Sequence, residues 1–182
     1  MMILASRSPR RAEILRNAGI PFTVRAADID ESPLEAERPV PYVLRLAEAK
    51  ARVLPAQADE TVLAADTTVV AAGEMLGKPA DPEDARRMLR LLSGRRHEVL
   101  TGICLRRGER VITDHANTAV WFAPMSAAEI DEYVAGGEPM DKAGAYAIQG
   151  RAAKWIPRIE GDYFNVVGLP LALVAAMLEP WL

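Results

Sequence analysis

Apolar and polar positions along the chain follow two periods, and each predicts an element. Met2-Ile3-Leu4-Ala5 is a short apolar run that reads as a buried strand. Ser8 then offers a helix N-cap and Pro9 a first helical residue, and apolar Ala12, Ile14, Leu15 and Ala18 carry that helix to Gly19. Phe22 to Ala26 predicts a second strand, and an acidic loop follows. From Pro39 the spacing is helical, with Val43, Leu44, Ala47, Ala51 and Leu54 on one stripe and Arg45, Glu48 and Arg52 opposite. Val62 to Ala72 is apolar at both ends with Asp66-Thr67-Thr68 between, which predicts two buried strand segments around a bend. Asp81-Pro82 opens a helix whose packed face is Ala85, Met88, Leu89 and Leu92. His97–Arg106 and Arg110–Phe122 predict a hairpin closed at Gly108-Glu109. Ser126 to Glu129 is a capping box for a helix through Val134, broken at Gly136-Gly137-Glu138-Pro139. Tyr163 to Val167 reads as a strand, and a last, largely apolar helix starts at Leu169. No repeat, low-complexity stretch or linker interrupts residues 1–182, so the expectation is one domain with two lobes flanking a cleft.

Composition narrows the function classes. Half of the 182 residues are hydrophobic and 26% are charged, the balance of a globular chain with a real core. The net charge of −3 disfavours non-specific binding to nucleic acid, which needs clustered positive charge. The single cysteine, Cys104, excludes an internal disulfide, and no cysteine–histidine cluster suits zinc. The first residues lack a signal-peptide pattern, and the apolar stretch Val166 to Leu178 falls short of the roughly 20 residues of a membrane span. A cytoplasmic location is the default.

Five stretches carry candidate chemistry. Ser6-Arg7-Ser8-Pro9-Arg10-Arg11 sets hydroxyls and guanidinium forks at a helix N-terminus. That is either a phosphate cradle or an ordinary capped helix with solvated arginines. Lys50 falls inside an apolar stripe, where an ammonium must either escape to water or meet an anion such as phosphate. Asp66, embedded between apolar flanks, must be paired, metal-bound or raised in pKa. Asp30-Glu31 places adjacent carboxylates suited to a hard divalent cation. Gly77-Lys78-Pro79 is not a Walker motif, since its glycine spacing is wrong and Pro79 replaces the hydroxyl, yet Lys78 is held beside two conformational anchors. His97 and His115 have no ligand-like spacing and read as strand-surface residues.

These stretches, with Asp141-Lys142-Ala143-Gly144-Ala145-Tyr146, Ile148-Gln149-Gly150 and Gly168-Leu169-Pro170-Leu171, resemble the Maf family of nucleotide pyrophosphatases over nearly the whole chain. Each motif alone is weak, but the ordered set is specific. The resemblance implies an α/β fold: an elongated, bent mixed β-sheet flanked by helices, two lobes around a deep cleft, similar to the inosine triphosphate pyrophosphatases. It implies a cytoplasmic homodimer that hydrolyses a nucleoside triphosphate to the monophosphate and pyrophosphate with a divalent metal cation (Mg2+, Mn2+ or Co2+). No nucleic acid or membrane partner is implied. The Asp-Lys-Ala-Gly-Ala-Tyr and Ile-Gln-Gly segments look like the branch acting on dTTP and UTP, in which Arg10, Thr67 and Gln149 match the positions of substrate choice. The branch acting on 7-methyl-GTP departs at both segments. Ala152-Ala153-Lys154 is more polar than the family's usual loop.

On that resemblance Arg10, Arg11, Lys50 and Lys78 would offset about four negative charges on the triphosphate. Ser6 and Ser8 would hydrogen-bond phosphate oxygens, and Glu31 and Asp66 would hold the metal. Asp66 is the expected general base for water attacking the α-phosphorus, and Gln149 can offer both a donor and an acceptor to the N3–H and O4 edge of uracil or thymine. Two alternatives remain beside this expectation: a non-catalytic nucleotide-binding regulator of cell division, and a pyrophosphatase for purine or 7-methyl-GTP nucleotides.

Overall fold

A computed structural model describes residues 1–181. Strand β1 (Met2–Leu4) leads through the Ser6–Ser8 turn into helix α1 (Pro9–Asn17), and β2 (Thr23–Val24) follows. Helix α2 (Pro39–Val53) comes next, then the long strand β3 (Thr61–Ala71) and its short partner β4 (Glu74–Leu76). After α3 (Pro82–Leu92) come two twelve-residue strands, β5 (Arg96–Arg107) and β6 (Arg110–Trp121). Helix α4 (Ala127–Ala135), a series of 3-10 turns, β7 (Arg158–Glu160), α5 (Tyr163–Val167) and α6 (Leu171–Leu178) complete the order. The strands form one mixed sheet of seven, in the order β2-β1-β3-β5-β6-β7 with β4 on β3. β1 runs parallel to both β2 and β3, with Ile3 opposite Val62, whereas β3–β4 and β6–β7 are antiparallel. The expected α/β class and mixed sheet are present.

The chain divides into two compact units, and the long strands contribute residues to both. The first comprises Met1–Asp66, Thr101–Ala116 and Gly168–Leu182. Its core packs β1 and the start of β3 against α2 through Ile3, Ala5, Ala47, Ala51, Leu54, Val62, Ala64 and Cys104. Helix α2 can lie close because β5 carries Gly102 under it: a Cβ there would stand 2.4 Å from the Val43 carbonyl oxygen. That approach sets the depth at which the inner face of α2, including Lys50, is buried. The second unit comprises Thr67–Leu100 and Asn117–Val167. Its core is larger, with Leu76, Leu89, Leu92, Phe122, Tyr133, Tyr146 and Trp155 among its buried members.

Four local expectations are corrected. Residues Thr61–Ala71 form one unbroken strand, so Asp66 does not divide it into two segments. The carboxylate is accommodated by a counter-charge rather than by a break in the ladder. Tyr163–Val167 is helical, because the Asp162 carboxylate accepts the Phe164 and Asn165 N–H groups at 2.7 and 3.3 Å. That cap outweighs the β preference of an aromatic and β-branched composition. Glu74 and Glu160, which the sequence places in the turns Gly73-Glu74 and Glu160-Gly161-Asp162, belong to the strands Glu74–Leu76 and Arg158–Glu160. His97 is buried rather than on a strand surface. Its Nε2 lies 2.8 Å from the Tyr146 hydroxyl, and its ring packs edge-on against Phe122 at 5.1 Å.

Two stability predictions follow from this packing. Gly102→Ala forces backbone against backbone and lowers the unfolding free energy by about 1–3 kcal/mol in denaturant titration. Burial pushes the His97 imidazole down to about 4. The unfolded chain therefore takes up this proton before the folded one does, and stability attached to His97 is lost as pH falls from about 6.5 to about 4. The loss amounts to about 3 kcal/mol at the lower end. Unfolding titrations across that range should show a shallower pH slope in His97→Gln than in the parent protein; equal slopes would remove the histidine from the account.

Candidate functional site

The first unit assembles most of the candidate residues, beginning with the turn between β1 and α1. Ser8 caps α1 by accepting the Arg11 N–H, and Ser6 Oγ accepts the Ser8 N–H at 3.1 Å. This double hydroxyl turn forms because a strand must give way to a helix within four residues, and each side chain satisfies an N–H that lacks a backbone partner. Arg11 turns inward from the first helical turn. Its Nε donates to Gly168 O at 2.7 Å, and its Nη1 donates to Ala65 O at 2.8 Å and to Ser6 Oγ at 3.3 Å. The expectation grouped Arg11 with Arg10 as phosphate-binding cations. In the structure its planar fork ties the α1 N-terminus to Ala65, the residue before Asp66, and to Gly168, ahead of the last helix. Arg10, next along the helix, is half-buried.

Asp66 and Lys50 meet inside this unit. Asp66 is 6% exposed and Lys50 9%. Lys50 Nζ stands 2.6 Å from Asp66 Oδ1 and 2.7 Å from Glu31 Oε1. The coreward lysine therefore finds two carboxylates. Burial pushes the Asp66 carboxyl above its ordinary range, while the charges of Lys50 and Arg11 pull against that rise. A buried Lys50–Asp66 pair is thus joined by the half-exposed Glu31 carboxylate, and each charge has an opposite neighbour.

Glu31 reaches the cluster from an exposed loop that sequence reading left untethered. Tyr42 on α2 donates its hydroxyl hydrogen to Glu31 O at 2.9 Å. Three positions along, Arg45 grips Glu37 with two 2.7 Å bonds and reaches Ser32 O at 3.1 Å. That fork holds the Glu37 carboxyl down at about 2. Burial, then the Asp66 and Glu31 charges, push the Tyr42 hydroxyl up to about 12, so it stays a donor. Tyr42 and Arg45 were missed because their task is to hold backbone, and only their spacing of three on α2 hinted at a shared target. The Asp30-Glu31 pair separates: Asp30 Oδ1 accepts the Ser32 N–H at 2.9 Å and closes a turn, while Glu31 alone turns to Lys50.

The donor set bears on a metal. Among the described residues no group of three or more histidine, cysteine or acidic side chains gathers as a cation site. Glu31 and Asp66 both meet the Lys50 ammonium, and both are hard oxygen donors. That suits a cation of the magnesium type, which takes one or two protein carboxylates and fills its remaining positions with water and phosphate oxygens.

The remaining candidates belong to the second unit. Thr67 follows Asp66 on β3 and is half-buried. Lys78 is exposed after β4, and its neighbour Gly77 accepts the Gly144 N–H at 3.0 Å. Gly144 has φ +69°, and a Cβ there would meet Val69 at 2.8 Å, so the Asp141–Tyr146 segment lies directly on β3. Gln149 is exposed in a turn that Gly150 closes by donating its N–H to Ala147 O at 3.1 Å.

The family model described as "Maf-like protein" matches residues 1–181. A dTTP/UTP pyrophosphatase of Anaeromyxobacter dehalogenans (strain 2CP-C) is 54% identical over 190 residues, covering 99% of this chain and 96% of the relative. One of Symbiobacterium thermophilum is 54% identical over 178 residues, covering 97% and 92%. Among solved structures the Staphylococcus aureus Ham1 protein aligns over 98% of both chains with a TM-score of 0.54 at 15% identity, a likeness of fold. With its family model matched almost end to end and relatives sharing more than half of its residues, the chain belongs to the Maf-like protein family.

Proposed function

We propose that this protein is a nucleoside triphosphate pyrophosphatase that converts dTTP and UTP to the monophosphate and pyrophosphate. The observation that carries the reading is the Glu31–Lys50–Asp66 cluster, which brings together three residues expected to serve phosphate and metal, in a chain whose relatives bear that activity in their names. Asp66 is held on a continuous strand, with Oδ1 bonded to Lys50, and its Oδ2 takes the proton of the attacking water. The upward push of burial makes the carboxyl a better proton acceptor than a solvated aspartate. Lys50 and Arg10 neutralise phosphate oxygens, and Ser6 and Ser8 position them; Lys78 is assigned to phosphate on family resemblance. Arg11 keeps Ser6 and Ala65 in place rather than meeting the substrate. Glu31 and Asp66 would hold the divalent cation, whether Mg2+, Mn2+ or Co2+, which when bound supplies charge neutralisation on the phosphate oxygens.

Gln149 serves the base, and Arg10 and Thr67 are assigned to substrate choice on family resemblance. A homodimer and a cytoplasmic location belong to the same reading on family resemblance. The net charge of −3 supports a nucleotide rather than a nucleic acid partner. Among the described residues no helix is long and apolar enough to cross a membrane.

The decisive experiment incubates the protein with a divalent cation and a panel of nucleotides and measures pyrophosphate against orthophosphate. Pyrophosphate release with UTP and dTTP is expected; orthophosphate alone, or binding without turnover, overturns the reading. Asp66→Asn should remain folded, because Glu31 still compensates Lys50, yet lose about 10²–10⁴-fold in kcat. Near-parental turnover in that variant removes Asp66 as the base. Gln149→Ala should reduce the kcat/KM ratio of UTP over GTP by about tenfold, as expected when a hydrogen-bonded edge is left unread.

A further inference from the structure

The turn that carries Gln149 is fastened at both ends by one pair of side chains. Tyr133, on α4 and 1% exposed, donates its hydroxyl hydrogen to Glu138 Oε1 at 2.8 Å. The same hydroxyl oxygen accepts the Ala147 N–H at 3.3 Å. The Glu138 carboxylate accepts the Arg151 N–H, at 3.1 Å from Oε1 and 3.3 Å from Oε2. Ala147 and Arg151 bracket Gln149, two residues away on either side. The backbone between them is pressed onto the carboxylate: a Cβ on Gly150 would stand 2.1 Å from Glu138 Oε1. Glu138 is itself fixed, because Gly137 before it takes φ +77° and Lys142 Nζ donates to the Glu138 carbonyl at 2.6 Å. The chain thus reverses after α4, returns a carboxylate to the helix's own tyrosine, and drapes the Ala147–Arg151 turn over the pair. All of these residues lie in the second unit.

We propose that Tyr133 and Glu138 are positioning residues for base selection: they fix the Ala147–Arg151 turn so that the Gln149 amide meets a pyrimidine edge at a set angle. The inference rests on the reading of Gln149 as the base-contacting group. The phenol–carboxylate bond, with two backbone N–H groups on it, joins an enclosed tyrosine to a half-buried glutamate whose backbone is held by Gly137 and Lys142, so losing the hydroxyl frees both ends of the turn. A loosened turn would still place an amide near the base but over a spread of angles. Discrimination between bases would fall while phosphate chemistry, which belongs to other residues, continued.

The test compares kcat and KM for UTP and GTP in the parent protein and in Tyr133→Phe, Glu138→Gln, Gln149→Ala and the double variant Tyr133→Phe/Gln149→Ala, with thermal melts to verify folding. Tyr133→Phe keeps the ring and removes only the hydroxyl. The expected result is a UTP-over-GTP ratio lowered about three- to tenfold, expressed mainly in the KM for UTP with kcat within about twofold. Glu138→Gln retains an acceptor oxygen for the Tyr133 hydroxyl and should lose less of the ratio than Tyr133→Phe. The double variant should show no loss beyond Gln149→Ala alone. If Gln149→Ala changes the ratio while Tyr133→Phe and Glu138→Gln lower turnover of both nucleotides equally, or leave it unchanged, the positioning role is overturned and the base-contact reading stands. If Gln149→Ala itself leaves the ratio unchanged, the base-contact reading fails and this inference falls with it.

Discussion

One ammonium between two carboxylates governs the first unit. Removing Lys50, Asp66 and half of Glu31 from water is costly, and an unpaired charge at any of these positions would be intolerable. The cluster is feasible because it closes on itself: two acids, Glu31 and Asp66, against Lys50 and the half-buried Arg11 guanidinium. Each member depends on a different part of the fold. Lys50 needs α2 pressed onto the sheet, which Gly102 permits; Asp66 needs the continuous β3 ladder; Glu31 needs Tyr42; Arg11 needs the carbonyls of Ala65 and Gly168. Helix depth, strand continuity and loop path are therefore conditions on a single electrostatic balance.

Much of this was legible in the sequence because the anomalies were chemical. A lysine in an apolar stripe and an aspartate in an apolar strand each demand a partner, and the structure makes them partners of each other. What the sequence could not show was the division of labour between neighbours of the same type. Arg10 and Arg11 read alike, yet one residue of helix rotation turns Arg11 onto backbone carbonyls. Asp30 and Glu31 read as a pair, yet one closes a turn and the other reaches Lys50. Such differences follow from where a side chain points, which periodicity fixes only within a regular element. Tyr42 and Arg45 were invisible for a related reason: they hold the backbone of a loop, and a loop's path has no period.

Misread local structure has the same origin. Asp66 suggested a bend because a polar residue usually ends a buried strand, but a counter-charge supplied from α2 made the break unnecessary. Tyr163 to Val167 has strand composition, and a carboxylate cap of one residue, Asp162, decided for helix. His97 looked like surface because its strand neighbours are charged, while its own side of the strand faces Tyr146 and Phe122. In each case a specific side-chain contact outweighed propensity, as expected when the preference amounts to less than about 1 kcal/mol.

The two acids of the cluster are unequally anchored. Asp66 hangs from an eleven-residue strand inside the sheet, whereas Glu31 depends on a mostly exposed loop moored by a phenol and a guanidinium. Segments of that kind open at far lower free energy than the sheet beside them. On warming, the loop would slip its moorings while the core is still intact, leaving Lys50 with one acid instead of two. The ceiling on the protein's working temperature would then be set by a dozen surface residues, and hardening the interior alone would not raise it.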